Sequence, residues 1–356
     1  MALLGDIFGQ YFRVSTFGES HGKALGAVIE GVPAGLALSL SLIQKDLDRR
    51  KPGQSPFTTP RKEPDEVEIL SGLTTEGLTN GAPLALVIKN QGARSSDYAD
   101  LADKFRPGHA DYPYYQKYGL TPQPGGGRAS GRETAARVAA GAVARALLTK
   151  VTKGDLVVTA GARAIGVVTA IKTDFAFAET DPLRFLDPDF AQVAQDAVKG
   201  AMSEGDSLGA VVEVRATGVP QGLGSPVFDK LEALLGAAYL SIGAVRAVEF
   251  GEGIALAKTS GSKANDPLGP NGPTEDRHGG ILGGLSTGRP IIARLFVKPT
   301  PSIKKPQNSV SLKGEPLELT IHGRHDPCLA PRLAPVAEAM TLLVLADRYL
   351  APPARL

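Results

Sequence analysis

The stretch that most limits how this chain can fold runs from Arg106 to Gly141. It reads R-P-G-H-A-D-Y, then P-G-G-G-R-A-S-G-R-E-T, then a run rich in alanine. Residues 124–127 form a glycine loop, and Ser130 with Glu133 fits the S-x-x-E capping box that opens a helix. Ala135, Val138, Ala139, Ala142 and Ala146 recur at helical spacing. Their small size predicts a helix packed closely on all sides. A glycine loop ahead of a helix N-terminus is a natural anion site, because free N–H groups and the positive end of the helix dipole point the same way. Arg128 and Arg132 add fixed positive charge, and His109 brings a titrating group into the neighbouring loop. Two other readings stand beside this one. Gly126-x4-Gly131 has P-loop spacing, but Arg132-Glu133 replaces the Lys-Ser/Thr that nucleotide chemistry needs. A glycine loop can also be a plain connector.

Composition narrows the class. The length of 356 residues allows two ordinary domains or one large one. With 42% hydrophobic and 21% charged residues the chain reads as soluble and globular. A net charge of only +2 argues against a broad basic face for nucleic acid. One cysteine excludes an intrachain disulfide and suits a reducing compartment. No signal-peptide pattern opens the sequence, and no apolar run approaches the ~18 residues of a membrane span. The expectation is a cytoplasmic protein without membrane or nucleic-acid partners.

Periodicity predicts strands at 11–17 and 24–30, with the turn F-G-E-S-H-G between them carrying His21. Ser41 and Gln44 form a second capping box for a short helix stopped by Pro52-Gly53. Its last turn, Asp48-Arg49-Arg50-Lys51, holds more cations than a helix dipole needs, so an anionic ligand competes with simple dipole pairing. Residues 54–65 read as a long loop. Strands follow at 67–70 and 84–88, and four tyrosines cluster between Tyr112 and Tyr118, where packing outweighs cofactor stacking. Beyond the central helix, strands are expected at 156–170, 210–216, 247–257, 291–297 and 317–321, and helices at 187–202, 226–240 and 335–350. Residues 260–288 read as a long glycine-rich loop. The turn G-R-H-D-P-C offers His322, His325, Asp326 and Cys328 as metal ligands, but it is too short to wrap them round one tetrahedral ion. No metal is expected. Periodicity by itself leaves α/β and α+β open, with two subdomains.

Eight motifs in order, F-G-E-S-H-G, D-L-D-R-R-K-P-G, R-P-G-H-A-D-Y, G-G-G-R-A-S-G-R-E-T, E-G-D-S-L-G, G-G-I-L-G-G, K-P-T-P-S-I and G-R-H-D-P-C, resemble the chorismate synthase family from Gly9 to about Asp347. The resemblance implies one α+β domain over 1–356, a sandwich of helices between antiparallel sheets, assembled as a homotetramer. It implies a carbon–oxygen lyase that eliminates phosphate from 5-enolpyruvylshikimate 3-phosphate to give chorismate, using reduced FMN without net redox change. NADPH enters only if the enzyme reduces its own flavin; an external flavin reductase is the alternative.

By match to the family motifs, His21 is similar to the acid near the departing phosphate, His109 to the residue that protonates or stabilises reduced flavin, and Asp326 to the aspartate that works in the deprotonation. Arg49, Arg50 and Arg132 match substrate anion ligands. Arg50, Arg128, Ala129, Ser130, Gly243, Ala244, Gly283, Lys298, Pro299, Thr300, Pro301, Ser302 and Arg324 match flavin contacts. Pro56 stands where many bacterial members carry an arginine linked to NADP. Ala129 replaces a common serine and Gly243 a common asparagine, both compatible with backbone contacts. The rival readings are an FMN-dependent NAD(P)H oxidoreductase, which would consume reductant, and a nucleic-acid binder, which would bind oligonucleotides with steep salt dependence.

Overall fold

The computed structural model describes residues 5–59, 63–92, 100–321, 323 and 325–352. Two five-stranded antiparallel sheets carry the chain. The first joins β1 (Ile7–Phe8), β2 (Arg13–Gly18), β3 (Ala24–Glu30), β4 (Val67–Ser71) and β5 (Leu84–Lys89) in the order β1-β2-β3-β5-β4. The second joins β6 (Val157–Ile165), β7 (Val168–Thr169), β8 (Ala210–Thr217), β9 (Val245–Phe250) and a later strand, Ile291–Val297, which lies between β8 and β9. That inner strand alternates strictly, burying Ile291, Ala293, Leu295 and Val297, as a half-buried antiparallel strand should.

Three short ribbons complete the strands. They are β10–β11 (Leu268–Gly269, Gly272–Pro273), β12–β13 (Ile281–Leu282, Leu285–Ser286) and, after the inner strand β14, β15–β16 (Gln307–Val310, Pro316–Leu319). The segment read as one long loop at 260–288 therefore contains two tight hairpins.

The helices are α1 (Leu40–Arg50), α2 (Asp111–Tyr118), α3 (Thr134–Val151), α4 (Phe175–Thr180), α5 (Ala191–Ser203), α6 (Leu231–Leu240), α7 (Gly261–Ala264) and α8 (Ala330–Tyr349). Helix α3 lies on β3 and β5 of the first sheet, α8 lies on β6 and β8 of the second, and α3 packs along α8 with α1 beside both. The result is an α+β sandwich with its helical layer inside.

Several boundaries moved, each for a local reason. Ser39, not Ser41, caps α1, its Oγ accepting from the Leu42 N–H at 3.3 Å. Gln44 instead ties the helix to the next segment, accepting from the Val67 N–H and donating to the Asp65 carbonyl, both at 3.3 Å. Ser130 caps a 3₁₀ turn, Gly131–Glu133, and α3 proper begins at Thr134. Glu133 does not close a capping box because its carboxylate takes Arg137 Nε at 2.9 Å, one turn on. The tyrosine cluster forms α2, with Phe105 edge-on to Tyr112 at 5.3 Å. Helix α8 begins five residues before Pro335. The proline leaves the Pro331 carbonyl without its helical N–H, and Arg184 Nε donates to it instead at 3.1 Å. Strand β9 ends at Phe250, and Gly253–Lys258 is a 3₁₀ turn where more strand was expected.

In the helical layer Gly141 of α3 packs directly against Ala339 of α8. A Cβ built on Gly141 would lie 2.5 Å from the Ala339 Cβ and 2.7 Å from its Cα. Helix propensity alone predicts that Gly141→Ala stabilises by about 1 kcal/mol. The overlap predicts the opposite sign, a loss of roughly 1–3 kcal/mol from forced separation of the helices. Thermal denaturation decides it, and a higher Tm for Gly141→Ala would show that the helices are free to separate there.

Candidate active site

A cavity of about 650 Å³ opens at the N-terminal end of α3, within the size range of cofactor and substrate pockets. Part of its lining is apolar, with Val14, Ile242, Leu329, Leu333, Val336, Met340 and Leu343, and part is cationic, with Arg50, Arg106, Arg128, Arg132, Arg137, Lys298 and Arg332.

The glycine loop is built to bring two histidines together. Gly125 and Gly126 have φ of +64° and +87°, in the left-handed region that favours glycine. A Cβ on Gly125 would lie 2.2 Å from His21 Cε1 and Nδ1, and one on Gly126 would lie 2.9 Å from His109 Cε1. No other residue fits at either position without pushing an imidazole aside. His21 Nδ1 also lies 3.2 Å from Ser20 Oγ, and Ser20 lines the cavity.

His109 Nδ1 is 2.8 Å from Asp111 Oδ1. Arg106 clamps the same carboxylate with two hydrogen bonds, Nε to Oδ2 and Nη2 to Oδ1, both 2.7 Å. Burial works to raise the Asp111 pKa, but the hydrogen bonds from Arg106 and His109 outweigh it and hold the carboxyl well below its ordinary value.

Arg50 and Arg132, 1% and 4% exposed, share one buried carboxylate. Arg50 Nη1 donates to Asp65 Oδ2 at 2.8 Å, and Arg132 Nη1 pairs with Asp65 Oδ1. Burial lowers the Arg50 pKa to about 10, helped by the positive charges of Arg332 and Arg132. Burial opposes ionisation of Asp65, yet Arg50 and Arg132 together hold its pKa below the usual carboxylate value. Asp326, the aspartate of the last motif, is fixed at both oxygens. Oδ1 accepts from the Thr59 N–H at 2.8 Å and Oδ2 from Arg332 Nη1 at 2.6 Å.

On the far side, Arg128 donates to the Gly18 carbonyl at 3.0 Å and to Thr16 Oγ1 at 2.8 Å. Arg137 Nη1 reaches Ser241 Oγ at 2.6 Å and steadies the 241–244 turn. Ala244 in that turn has φ of +75°, a strained value for a residue with a Cβ.

The fold therefore gathers His109, Asp326, Arg50, Arg128, Ala129, Ser130, Arg132, Gly243, Ala244, Lys298, Thr300, Pro301 and Ser302 around one cavity, with His21 packed on its Gly125 edge. Three expected residues fall elsewhere. Arg49 does not line the cavity: its guanidinium pairs with Glu338 at 2.7 and 2.9 Å and with Glu179 at 2.6 and 2.8 Å, because its side chain leaves α1 toward buried carboxylates. Gly283 is exposed in the β12–β13 turn, and Pro299 is exposed at the end of β14, its ring against Gly209; neither lines the cavity. Arg324 and His322 lie outside the described residues. Among the described residues no group of three or more His, Cys, Asp or Glu could hold a metal, and Cys328 is a buried thiol whose pKa burial pushes up to about 12.

A family model for chorismate synthase matches residues 12–350. Chorismate synthase of Rhodospirillum rubrum is 50% identical over 98% of this chain and 97% of its own length. That of Syntrophobacter fumaroxidans is 51% identical over 98% of both. The chain belongs to the chorismate synthase family. A crystal structure of chorismate synthase superposes with a TM-score of 0.74 at 30% identity, covering 96% of this chain and 92% of the other. As a chorismate synthase the chain is a carbon–oxygen lyase that eliminates phosphate from 5-enolpyruvylshikimate 3-phosphate.

Sequence reasoning did not assign Arg106, Asp111, Asp65, Arg137 or Arg332 to the site, and it named His325 only as a candidate metal ligand. Asp111 was within reach, since a carboxylate two residues after a loop histidine is a ready partner. Asp65 and Arg332 carried no local signal. His325 lines the cavity, and burial together with the nearby charge of Arg106 lowers its pKa to about 4.

These shifts predict a two-stage acid transition. His325 is depressed in the folded state, so its contribution is full above the unfolded value near 6.5 and is lost as pH falls toward about 4. Asp65, Asp111 and Glu179 are also depressed, so theirs is full above roughly pH 4.3 and is lost below it. Tm measured from pH 7 to pH 2 should decline gently and then steeply, and His325→Gln should remove the first stage only. A flat Tm across this range would contradict the depressed values.

Proposed function

We propose that the basic cavity holds reduced FMN and the enolpyruvyl substrate side by side and that the glycine-loop histidines handle their protons. The observation that carries this is the seating of His21 and His109 on consecutive glycines of one loop, at the edge of an arginine-lined cavity. The donor set fits the flavin: Arg128, Lys298, Thr300 and Ser302 offer partners to a phosphate and its polyol chain, and the apolar part of the lining offers a surface for a planar ring. When bound, reduced FMN supplies the electron that makes loss of phosphate favourable and takes it back, so no net oxidation results.

The protein's own part is binding, orientation and proton transfer. Arg50 and Arg132 meet the substrate's anionic groups. Asp65, bridging them from behind, keeps both guanidinium planes fixed and prevents their mutual repulsion from spreading the pair. Arg128, Ala129, Ser130, Gly243, Ala244, Lys298, Thr300, Pro301 and Ser302 would hold the flavin. His21 gives a proton to the departing phosphate, His109 holds a proton near the reduced ring, and Asp326, fixed by Arg332 and Thr59, assists removal of the proton from substrate C6. The cavity walls exclude water from the reacting atoms. The enzyme works in the cytoplasm as a homotetramer; among the described residues no helix is long and apolar enough to cross a membrane, and the exposed Val227 and Phe228 offer apolar surface for subunit contact.

The test is anaerobic release of phosphate from 5-enolpyruvylshikimate 3-phosphate with photoreduced FMN and no nicotinamide. Phosphate should appear without consumption of reductant; an oxidoreductase would consume it. His21→Ala and His109→Ala should each lose about 10²-fold or more in turnover, the scale of general acid–base groups. Wild-type turnover in both would end this assignment. Arg132→Ala should raise the KM for substrate well above any change in FMN affinity, and titration of each ligand against the variant checks the order.

A further inference from the structure

We propose that Asp111, buttressed by Arg106, is a positioning residue that fixes the tautomer of His109, so that every proton His109 exchanges passes through Nε2. The geometry is fully specified at the carboxylate. Oδ2 accepts from the Arg106 backbone N–H at 3.2 Å and from its Nε at 2.7 Å, and Oδ1 accepts from Arg106 Nη2 at 2.7 Å. The remaining partner of Oδ1 is His109 Nδ1, at 2.8 Å. Asp111 and Arg106 are each about 5% exposed, and a carboxylate held by an arginine fork accepts hydrogen bonds but has no proton to give. His109 Nδ1 must therefore be the donor.

The opposite edge of the ring then does the chemistry. Cε1 and Nε2 lie over Gly126, where a Cβ would come within 2.9 and 3.2 Å of them, and the residue lines the cavity. Asp111 does not line the cavity. Its action passes through the imidazole, in the way a buried carboxylate orients a histidine base elsewhere. The sequence placed these parts within six residues, R-P-G-H-A-D, and α2 starts at Asp111, so the helix fixes the carboxylate relative to the loop.

The inference rests on the assignment of His109 as the proton-handling group, but its first test does not. In the full-length protein with ¹⁵N-labelled histidine, neutral His109 should show the nitrogen shifts of an Nδ1–H imidazole; an Nε2–H pattern in the wild type overturns the proposal with no variant needed. Asp111→Asn is the second test. Its amide oxygen serves best toward the Arg106 backbone N–H and Nε, which turns the amide NH2 toward His109 and makes Nδ1 the acceptor. The tautomer should switch to Nε2–H, and kcat with reduced FMN and substrate should fall by about 10²-fold while substrate KM and FMN affinity change by less than about threefold.

Arg106→Lys keeps the charge and loses the fork, and it should give an intermediate kcat. If Asp111→Asn unfolds, this variant and the wild-type spectrum still decide. A switched tautomer with wild-type kcat overturns the positioning role. If His109→Ala itself keeps full turnover, the functional assignment of His109 fails, and the positioning role in turnover fails with it, whereas the tautomer measurement still stands or falls by its own spectrum.

Discussion

A carboxylate buried at the centre of the sandwich sets the terms for the whole structure. Glu338 of α8 is 1% exposed, and a charge removed from water must be paired from several sides or it unfolds its surroundings. Its partners come from different layers: Arg49 of α1 at 2.7 and 2.9 Å, Arg145 of α3 at 3.1 Å, and the Ala160 N–H of β6 at 3.0 Å. The adjacent residue, Ala339, is the one against which Gly141 of α3 packs. One turn of α8 therefore fixes three helices and a strand relative to one another. Arg49 also reaches Glu179 of α4, whose pKa falls to about 2 because Arg49 and Arg184 together overcome its burial.

The cavity follows from that crossing. With α3 packed on α8, Leu333, Val336, Met340 and Leu343 of α8 supply much of the cavity's apolar lining. The 3₁₀ turn before α3 brings Arg132 to the cavity, and the first residue of α3, Thr134, lines it too. Asp347, near the other end of α8, gathers the backbone N–H groups of Gln10, Tyr11 and Phe12 on a single oxygen at 2.6–3.0 Å. That bond aligns the entry into β2, which supplies Val14 and Thr16 to the cavity.

Charge in the site is handled by pairing rather than by exposure. The cations that face the cavity are backed by Asp65, Asp111, Asp326 and Glu133, so the net charge of +2 and a strongly basic cavity are compatible. The carboxylates hold the guanidinium groups in place at the cavity. This arrangement suits a reaction in which orientation and electrostatics are the protein's contribution and the cofactor carries the electron.

The sequence by itself determined the elements whose signals are local. Alternation marked β2, apolar runs marked β3, β5 and β14, small residues marked α3 as packed on all sides, and the ordered motifs named the family and many of the cavity's residues. What it left undecided depends on contacts far apart in the chain. Arg49 and Arg50 are neighbours with the same chemistry, yet they leave α1 in different directions, one to Glu338 and the other to Asp65; only the packing of α1 against α3 and α8 chooses between them. Asp65 had no motif to mark it, because its partners Arg50 and Arg132 lie 15 and 67 residues away, and Arg332 stands six residues beyond the aspartate it holds, outside the motif that carries Asp326. The glycines of residues 125–127 were legible as a loop, but not as the seat of two imidazoles. That role exists only once β2, α3 and the loop before α2 meet, since a missing Cβ has meaning only where another side chain takes its place.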